Sequence, residues 1–311
     1  VTDTAAAPLA RRITIHPYDL EAGPIGHLQA ERERLAGLRW EHFEAAQVGA
    51  TIGAELSGLD LREDLSGDVI GEIRQALLDY KVLFFRDQHL TAHQHVAFAR
   101  RFGELEVHPF LKNNQELPEL VRFEKSPEVG GYENGWHSDV TWRVEPSMGS
   151  ILRALEVPPS GGDTLFSDMY AAYEGLDEET RELIDPLKAV HDYSQVFGLV
   201  IPPEKRDEMR ETYPPVEHPV VRTHPETGRK LMYLNRFFGL RIVGLPEEES
   251  HALIDRLCRQ AEIVEYQCRF RWQPGSIAFW DNRAVQHYAS SDYWPARRVM
   301  ERATIIGDRP Y

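Results

Sequence analysis

In the stretch GYENGWHSDVTW, residues 131–142, His137 and Asp139 stand two positions apart. Trp136, Val140, Thr141 and Trp142 favour extended backbone, where residues i and i+2 point the same way. An imidazole and a carboxylate aimed at one point can hold a metal ion. The same pair also makes a surface hydrogen bond that carries no chemistry. With 13 histidines in the chain, one such triplet is expected nearly by chance. Three others have similar spacing: His42-Phe43-Glu44, His93-Gln94-His95 and His224-Pro225-Glu226. His224 falls at the tip of an expected hairpin and reads as a solvated loop residue. His93 and His95 diverge on an expected helix, because i and i+2 share no helical face. His42 and Glu44 precede an expected strand and read as a surface pair.

What distinguishes the pair at 137 and 139 lies far downstream. RWQPGSIAFWDNRAVQHY places His287 after a strand–turn–strand pattern, and RVMERATIIGD carries Arg298 and Arg302. On a strand, residues four apart share a face. Two guanidinium groups on one face of an apolar strand are costly to bury unless they meet anions. The other reading is two surface salt bridges in an acidic protein. Two histidines and a carboxylate form the ligand set of non-haem Fe(II) oxygenases, which leaves coordination positions open. A catalytic zinc uses the same set, so ligand type leaves both metals open.

These side chains need elements to carry them. GDVIGEIRQALLDYK has apolar residues at helical spacing and runs into KVLFFRD, a short apolar run expected to be a buried strand. TAHQHVAFARRFG reads as a second helix with Thr91 as N-cap. GSILRALEV and DTLFSD read as strands separated by the turn-rich PPSGG. ETRELIDPL and EEESHALIDRLCRQA are amphipathic helix candidates. HPVVRT and RKLMYLN flank the hairpin loop HPETG, and YQCRFRW and SIAFW flank the tight turn QPG. VMERATIIGD is a late strand. Residues 1–42 read as an irregular N-terminal arm with one strand candidate, RITIHPY. No repeat or linker stands out, so 1–311 reads as one domain. Many short strands with turn signals suggest a sandwich, barrel or jelly roll with helices packed outside.

The 311 residues are 42% hydrophobic, which is ample for a packed core. A net charge of −15 argues against broad binding to nucleic acid or an anionic membrane. An acidic protein holds a small anion only through a local basic pocket. No apolar run approaches a membrane span, and VTDTAAAPLARR lacks the apolar region of a secretory signal. Cys258 and Cys268 do not read as a disulfide framework. A cytoplasmic protein, assembled as a homo-oligomer (dimer or tetramer), is the expectation.

WHSDVTW, PPSGGDTLFSDMYAAYEGL, HPVVRTHPETGRK and WQPGSIAFWDNRAVQHYASSDYWPARRVMERATIIGD together resemble the TauD/TfdA family of Fe(II)- and 2-oxoglutarate-dependent dioxygenases. The resemblance runs from about residue 43 to the C-terminus. It implies a mainly β fold with flanking helices around a double-stranded β-helix, or jelly-roll, core. It implies His137, Asp139 and His287 as iron ligands, and Thr164 and Arg298 as partners of the distal carboxylate of 2-oxoglutarate. Arg302 matches the arginine that reaches the anionic head of the primary substrate, and His108, in ELEVHPF, the histidine that contacts a sulfonate. Phe197 and Phe238 match aromatic walls of the substrate pocket, and Val140 lines it. O2 is the further co-substrate, and succinate and CO2 are co-products.

Where the family's taurine-cleaving members have a pocket tyrosine and serine, this chain has Leu111 and Val196, and Glu133 falls near their asparagine. Those polar groups serve the amine end of taurine, so their loss implies a less polar tail pocket. An alkyl sulfate or sulfonate is the expected substrate. The alternative is a carboxylate substrate, including secondary metabolites. A non-catalytic anion binder would need no metal triad. The helical H-E-x-x-H pattern of many zinc hydrolases is missing.

Overall fold

The computed structural model describes residues 13–15, 20–129, 134–198 and 200–311, so Glu133 lies outside the described residues. Strands β1 (Ile13–Ile15) and β2 (Leu20–Ala22) pair, and helix α1 (Leu28–Gly37) follows. A helix in the N-terminal arm departs from the irregular segment expected. Four of its ten residues are charged, and only Leu28 and Leu35 are buried, so apolar periodicity does not reveal it. Ion pairs dock it instead: Glu31 meets Lys81 at 2.8 Å and Arg229 at 3.2 Å.

β3 (Glu44–Gln47) and β4 (Ala54–Ser57) precede α2 (Gly67–Tyr80), which Ser66 caps by accepting from Val69 N–H. Lys81 ends α2 in the left-handed region (φ 65°). Its buried ammonium donates to Thr51 O at 2.6 Å and holds the link to β5 (Val82–Phe85), an all-buried strand as expected. α3 (Ala92–Arg100) starts with a full capping box between Thr91 and Gln94. His95 on this helix is buried and His93 exposed, so the two diverge as expected.

β6 (Leu120–Lys125), β7 (Ser147–Glu156) and β8 (Thr164–Asp168) come next, then α4 (Met169–Glu174), α5 (Glu178–Ile184), β9 (Lys188–His191), α6 (Ser194–Phe197) and α7 (Arg206–Thr212). β10 (Val216–Pro219), β11 (Val221–Thr223), β12 (Lys230–Met232) and β13 (Gly239–Ile242) lead to α8 (Glu247–Cys258). The chain ends through β14 (Gln267–Phe270), β15 (Ile277–Asp281), β16 (Val285–Ala289) and β17 (Arg298–Ile306).

The largest sheet runs β3-β4-β5-β15-β7-β17-β6, and a three-stranded sheet runs β14-β8-β16. QPG is a turn between sheets, since β14 pairs with β8 while β15 pairs with β5 and β7. The two sheets share an apolar layer in which Phe84, Phe166, Phe270 and Trp280 are buried. Phe84 and Phe270 stack at 4.1 Å. A second core of Leu56, Leu77, Phe85, Phe98 and Phe279 sits between the outer face of the large sheet and α2 and α3. Both cysteines are buried thiols. Among the described residues, no helix is long and apolar enough to cross a membrane.

Buried histidines make the fold sensitive to acid. His95 shares a hydrogen bond with Ile151 O at 3.0 Å, and burial, with Arg153 adding, pushes its pKa down to about 3. The unfolded chain binds the proton near pH 6.5 and the folded chain does not, so this contribution is full above pH 6.5 and lost on acidification. The stability margin of wild type over His95→Gln is therefore expected to shrink by up to about 1.4 kcal/mol per pH unit below 6.5. Urea unfolding of both proteins between pH 7 and 5 measures it. A margin that holds constant would contradict a neutral buried His95.

Candidate active site

β16 and the segment before Asp139 meet in a single antiparallel bridge. His287 N–H donates to His137 O at 2.8 Å, and His137 N–H donates to His287 O at 3.1 Å. Facing positions of a bridge set side chains side by side, and the two imidazoles lie 4.3 Å apart. The chain does not continue as the extended strand expected for 136–142. Residues 139–142 form a turn, with Val140 at φ 47°. Asp139 enters this turn and brings its carboxylate back to the imidazoles.

His137 Nε2 lies 3.9 Å from Asp139 Oδ1, and His287 Nε2 lies 4.0 Å from Asp139 Oδ2. All three ligand atoms fall within 4.8 Å of one another. A metal bond of about 2.1 Å lets donor atoms stand up to about 4.2 Å apart, so a small closure brings the three onto one ion. His137 Nδ1 donates to Gly135 O at 2.8 Å, which leaves the Nε2 lone pair aimed inward. Burial, then the neighbouring His137, pushes the His287 pKa down to about 3 and keeps that ring neutral. Burial alone would raise the Asp139 carboxyl. The Arg302 guanidinium beside it, by charge and by hydrogen bond, opposes burial, and the group lies below the ordinary carboxylate range. Two imidazoles and a carboxylate are the donor set that a divalent iron or zinc ion takes.

The triad lines a cavity of about 280 Å³. Every residue expected at the site lines it: His108, His137, Asp139, Val140, Thr164, Phe197, Phe238, His287, Arg298 and Arg302. Thr164 stands on β8 and the two arginines on β17. Both arginines are buried, so neither is a surface salt bridge. Arg302 Nη1 donates to Asp139 Oδ1 at 2.8 Å. The Arg298 guanidinium lies 5.9 Å from the rings of both Trp272 and Tyr293. Trp272 Nε1 donates to Thr164 Oγ1 at 2.9 Å, so the threonine proton remains available to an acceptor in the cavity. His108 Nδ1 accepts from the N–H groups of Phe110 and Leu111, both at 3.2 Å, which puts its proton on Nε2. Burial, with Arg302 and Arg143 nearby, pushes its pKa down to about 3, so it is a neutral donor.

Leu111, Val196, Phe197 and Phe238 give the cavity apolar walls; Phe237, Met300 and the cationic Lys125 line it beyond the residues expected. Phe237 stacks on His137 at 4.8 Å and 12°. Nothing in the pattern RFFG marks it; only the fold brings it to the ligand. The decoys resolve differently. His224 is buried and not solvated: its Nε2 donates to Asp281 at 3.0 Å, because two backbone N–H groups of its own loop hold Nδ1. His42 pairs with Glu72 at 2.7 Å rather than with Glu44.

This arrangement belongs to a known class. The chain matches the profile of the "Taurine catabolism dioxygenase TauD, TfdA family" over residues 44–304, and it is a member of that family of 2-oxoglutarate-dependent dioxygenases. Among curated relatives, it is 36% identical over 276 residues to an "Alkylsulfatase" of Acinetobacter baylyi, covering 86% of each chain. It is 37% identical over 271 residues to an "Alpha-ketoglutarate-dependent sulfate ester dioxygenase" of Pseudomonas putida, covering 85% of this chain and 89% of the relative. A solved structure described as a putative alpha-ketoglutarate-dependent taurine dioxygenase from Burkholderia xenovorans superposes with a TM-score of 0.76. It is 39% identical and spans 86% of this chain and 91% of its own.

The stack on His137 requires a residue without a side chain at 135, where a Cβ would come within 2.2 Å of the Phe237 ring. Gly135→Ala is expected to displace that ring and cost about 1–3 kcal/mol as overpacking does. Thermal unfolding measures it, and an unchanged melting temperature would show that Phe237 yields freely.

Proposed function

We propose that this protein is an Fe(II)- and 2-oxoglutarate-dependent dioxygenase with a double-stranded β-helix core that oxidises an alkyl sulfate or alkyl sulfonate. The observation that carries the proposal is one cavity lined by a His–Asp–His donor set together with two buried arginines, a threonine and a neutral histidine. Two anions need two clamps, and the cavity offers two.

His137, Asp139 and His287 hold the metal. Arg298 and Thr164 take the distal carboxylate of 2-oxoglutarate, the guanidinium by charge and the hydroxyl by a donated proton. Trp272 orients both, since it packs near one and donates to the other. Arg302 and the Nε2–H of His108 take the sulfate or sulfonate head. Leu111, Val196, Phe197 and Phe238 enclose the tail and exclude water, and each buried methylene adds about 0.8 kcal/mol. When bound, iron with 2-oxoglutarate and O2 supplies the hydroxylation, with succinate and CO2 as co-products. The residues above set the carbon that bears the sulfur group nearest the metal. Hydroxylated there, a sulfate ester breaks into an aldehyde or ketone and sulfate, and a sulfonate into the carbonyl compound and sulfite. Arg302 would also clamp a carboxylate, so the head group is read by experiment.

The test is an anaerobic titration with Fe(II), then 2-oxoglutarate, then alkyl sulfates, sulfonates and carboxylates. The expected result is a visible charge-transfer band that the sulfur compounds shift. No band in iron-loaded protein would overturn the dioxygenase reading, and a shift by carboxylates alone would overturn the substrate class. His137→Ala is expected to lose iron and turnover together; full iron binding would remove His137 from the ligand set. Arg298→Ala is expected to raise KM for 2-oxoglutarate and Arg302→Ala that for the primary substrate at saturating iron. Losing a buried charged partner costs about 2–5 kcal/mol, so each KM should rise at least about thirty-fold. The reverse pattern would exchange the two assignments.

A further inference from the structure

The turn at 139–142 poses a problem that the metal ligands do not solve. Val140 sits at φ 47°, and a β-branched residue in the left-handed region is strained. Such a conformation persists only where the surroundings over-determine it. Left to itself, the segment would relax toward the extended form its residue types favour, and the Asp139 carboxylate would swing with it.

We infer that Asn282 is a positioning residue for Asp139, its side-chain amide clamping the Asp139 backbone from both sides so that the carboxylate meets the two imidazoles. Asp139 N–H donates to Asn282 Oδ1 at 2.7 Å, and Asn282 Nδ2 donates to Asp139 O at 2.9 Å. A primary amide is the side chain that offers an acceptor and a donor in one plane to a single residue's N–H and C=O. The amide also donates to Ser147 Oγ at 2.9 Å. Asn282 is fully buried, so no water competes for these bonds.

The clamp also sets one ligand against another. Asn282 lies in the turn from β15 to β16, five residues before His287 on the same strand connection. That turn is itself fixed. Asn282 N–H donates to Met148 O at 2.9 Å, and Asp281 holds Arg283 at 2.7 Å and His224 at 3.0 Å. One rigid corner therefore delivers His287 along β16 and Asp139 through the amide. His137 joins them through the backbone bridge to His287. This inference rests on the metal-site reading, and its test separates the two.

The experiment is anaerobic titration of the full chain with Co(II), read by visible absorption, which reports both affinity and coordination geometry. Asn282→Ala and Asn282→Asp, which keeps the acceptor and loses the donor, are expected to bind Co(II) about 10–100-fold more weakly, as partners behind metal ligands do. Their spectra should differ from wild type. Ser147→Ala removes a neighbouring buried bond without touching Asp139, and should bind within about twofold of wild type. Val140→Gly added to Asn282→Ala should recover part of the affinity, because glycine takes the turn without strain. If Asn282→Ala does not fold, Asn282→Asp and Ser147→Ala carry the comparison. Wild-type affinity and spectrum in the folded Asn282 variants, or an equal loss in Ser147→Ala, would overturn the clamp. A wild-type protein that binds no Co(II), or a His137→Ala variant that binds as tightly as wild type, would instead overturn the metal site itself.

Discussion

A buried carboxylate, Asp139, is the constraint on which the site depends. Taking an ionised carboxylate out of water costs several kcal/mol unless charge and hydrogen bonds replace the solvent. Arg302 supplies the charge at 2.8 Å, and Ser150 Oγ donates at 3.4 Å. The guanidinium must then be buried too, and β17 is what makes that affordable. It is paired by β7 over Val299–Ile306 and by β6 over Arg298–Ala303, so Arg302 sits where the strand has a partner on both sides. Its side chain also lies over the ring of Phe123 on β6, 5.0 Å from the centroid. Arg302 thus touches the Asp139 carboxylate and lines the cavity beside it.

The same logic of buried charge recurs away from the cavity. Asp281 is fully buried, and Arg283 and His224 hold its carboxyl well below the usual range against the opposing effect of burial. Lys81 is fully buried among Glu31, Asp168 and Thr51 O. The first cluster fixes the corner before His287. The second pins α1 and the start of α4 to the end of α2. Neither cluster is strong evidence of stability, since apolar replacements can do as well. What they provide is a unique position for each turn. The net charge of −15 therefore says little about the site. Surface charge is screened over about 8–10 Å, whereas Arg298, Arg302 and Lys125 act inside a low-dielectric cavity.

The parts of this molecule that are legible in the sequence are those set by local pattern. The amphipathic helices α2, α3 and α8, the buried strand β5 and the hairpin at HPETG follow from periodicity and turn residues. The ligand residues follow from type, and gain weight only when His287, Arg298 and Arg302 are read with them. What is not legible arises from contacts distant in sequence. α1 is held by Glu31 reaching Lys81 and Arg229. His224 is drawn inward by Asp281, 57 positions away. The turn at Val140 defies the extended preference of its own residues because Asn282 holds it. Phe237 and Trp272 reach the site through sheet packing that no short pattern records.

The contrast between the polar and apolar linings of the cavity has a chemical consequence. Under the proposed assignment, the donors that would meet an oxyanion are two guanidinium groups, a hydroxyl and a neutral imidazole. Removing a charged partner there changes affinity by several kcal/mol. The apolar walls discriminate far more gently, since a methylene more or less is worth about 1–3 kcal/mol in an enzyme pocket. Leu111, Val196, Phe197 and Phe238 present no hydrogen-bonding side chain to a ligand tail, so they favour burial of hydrocarbon over any particular polar group. Under the proposed assignment, such a cavity would be stricter about the head group than about the tail. Substrate choice would then turn on which oxyanion satisfies Arg302 and His108, while tail length would set the strength of binding.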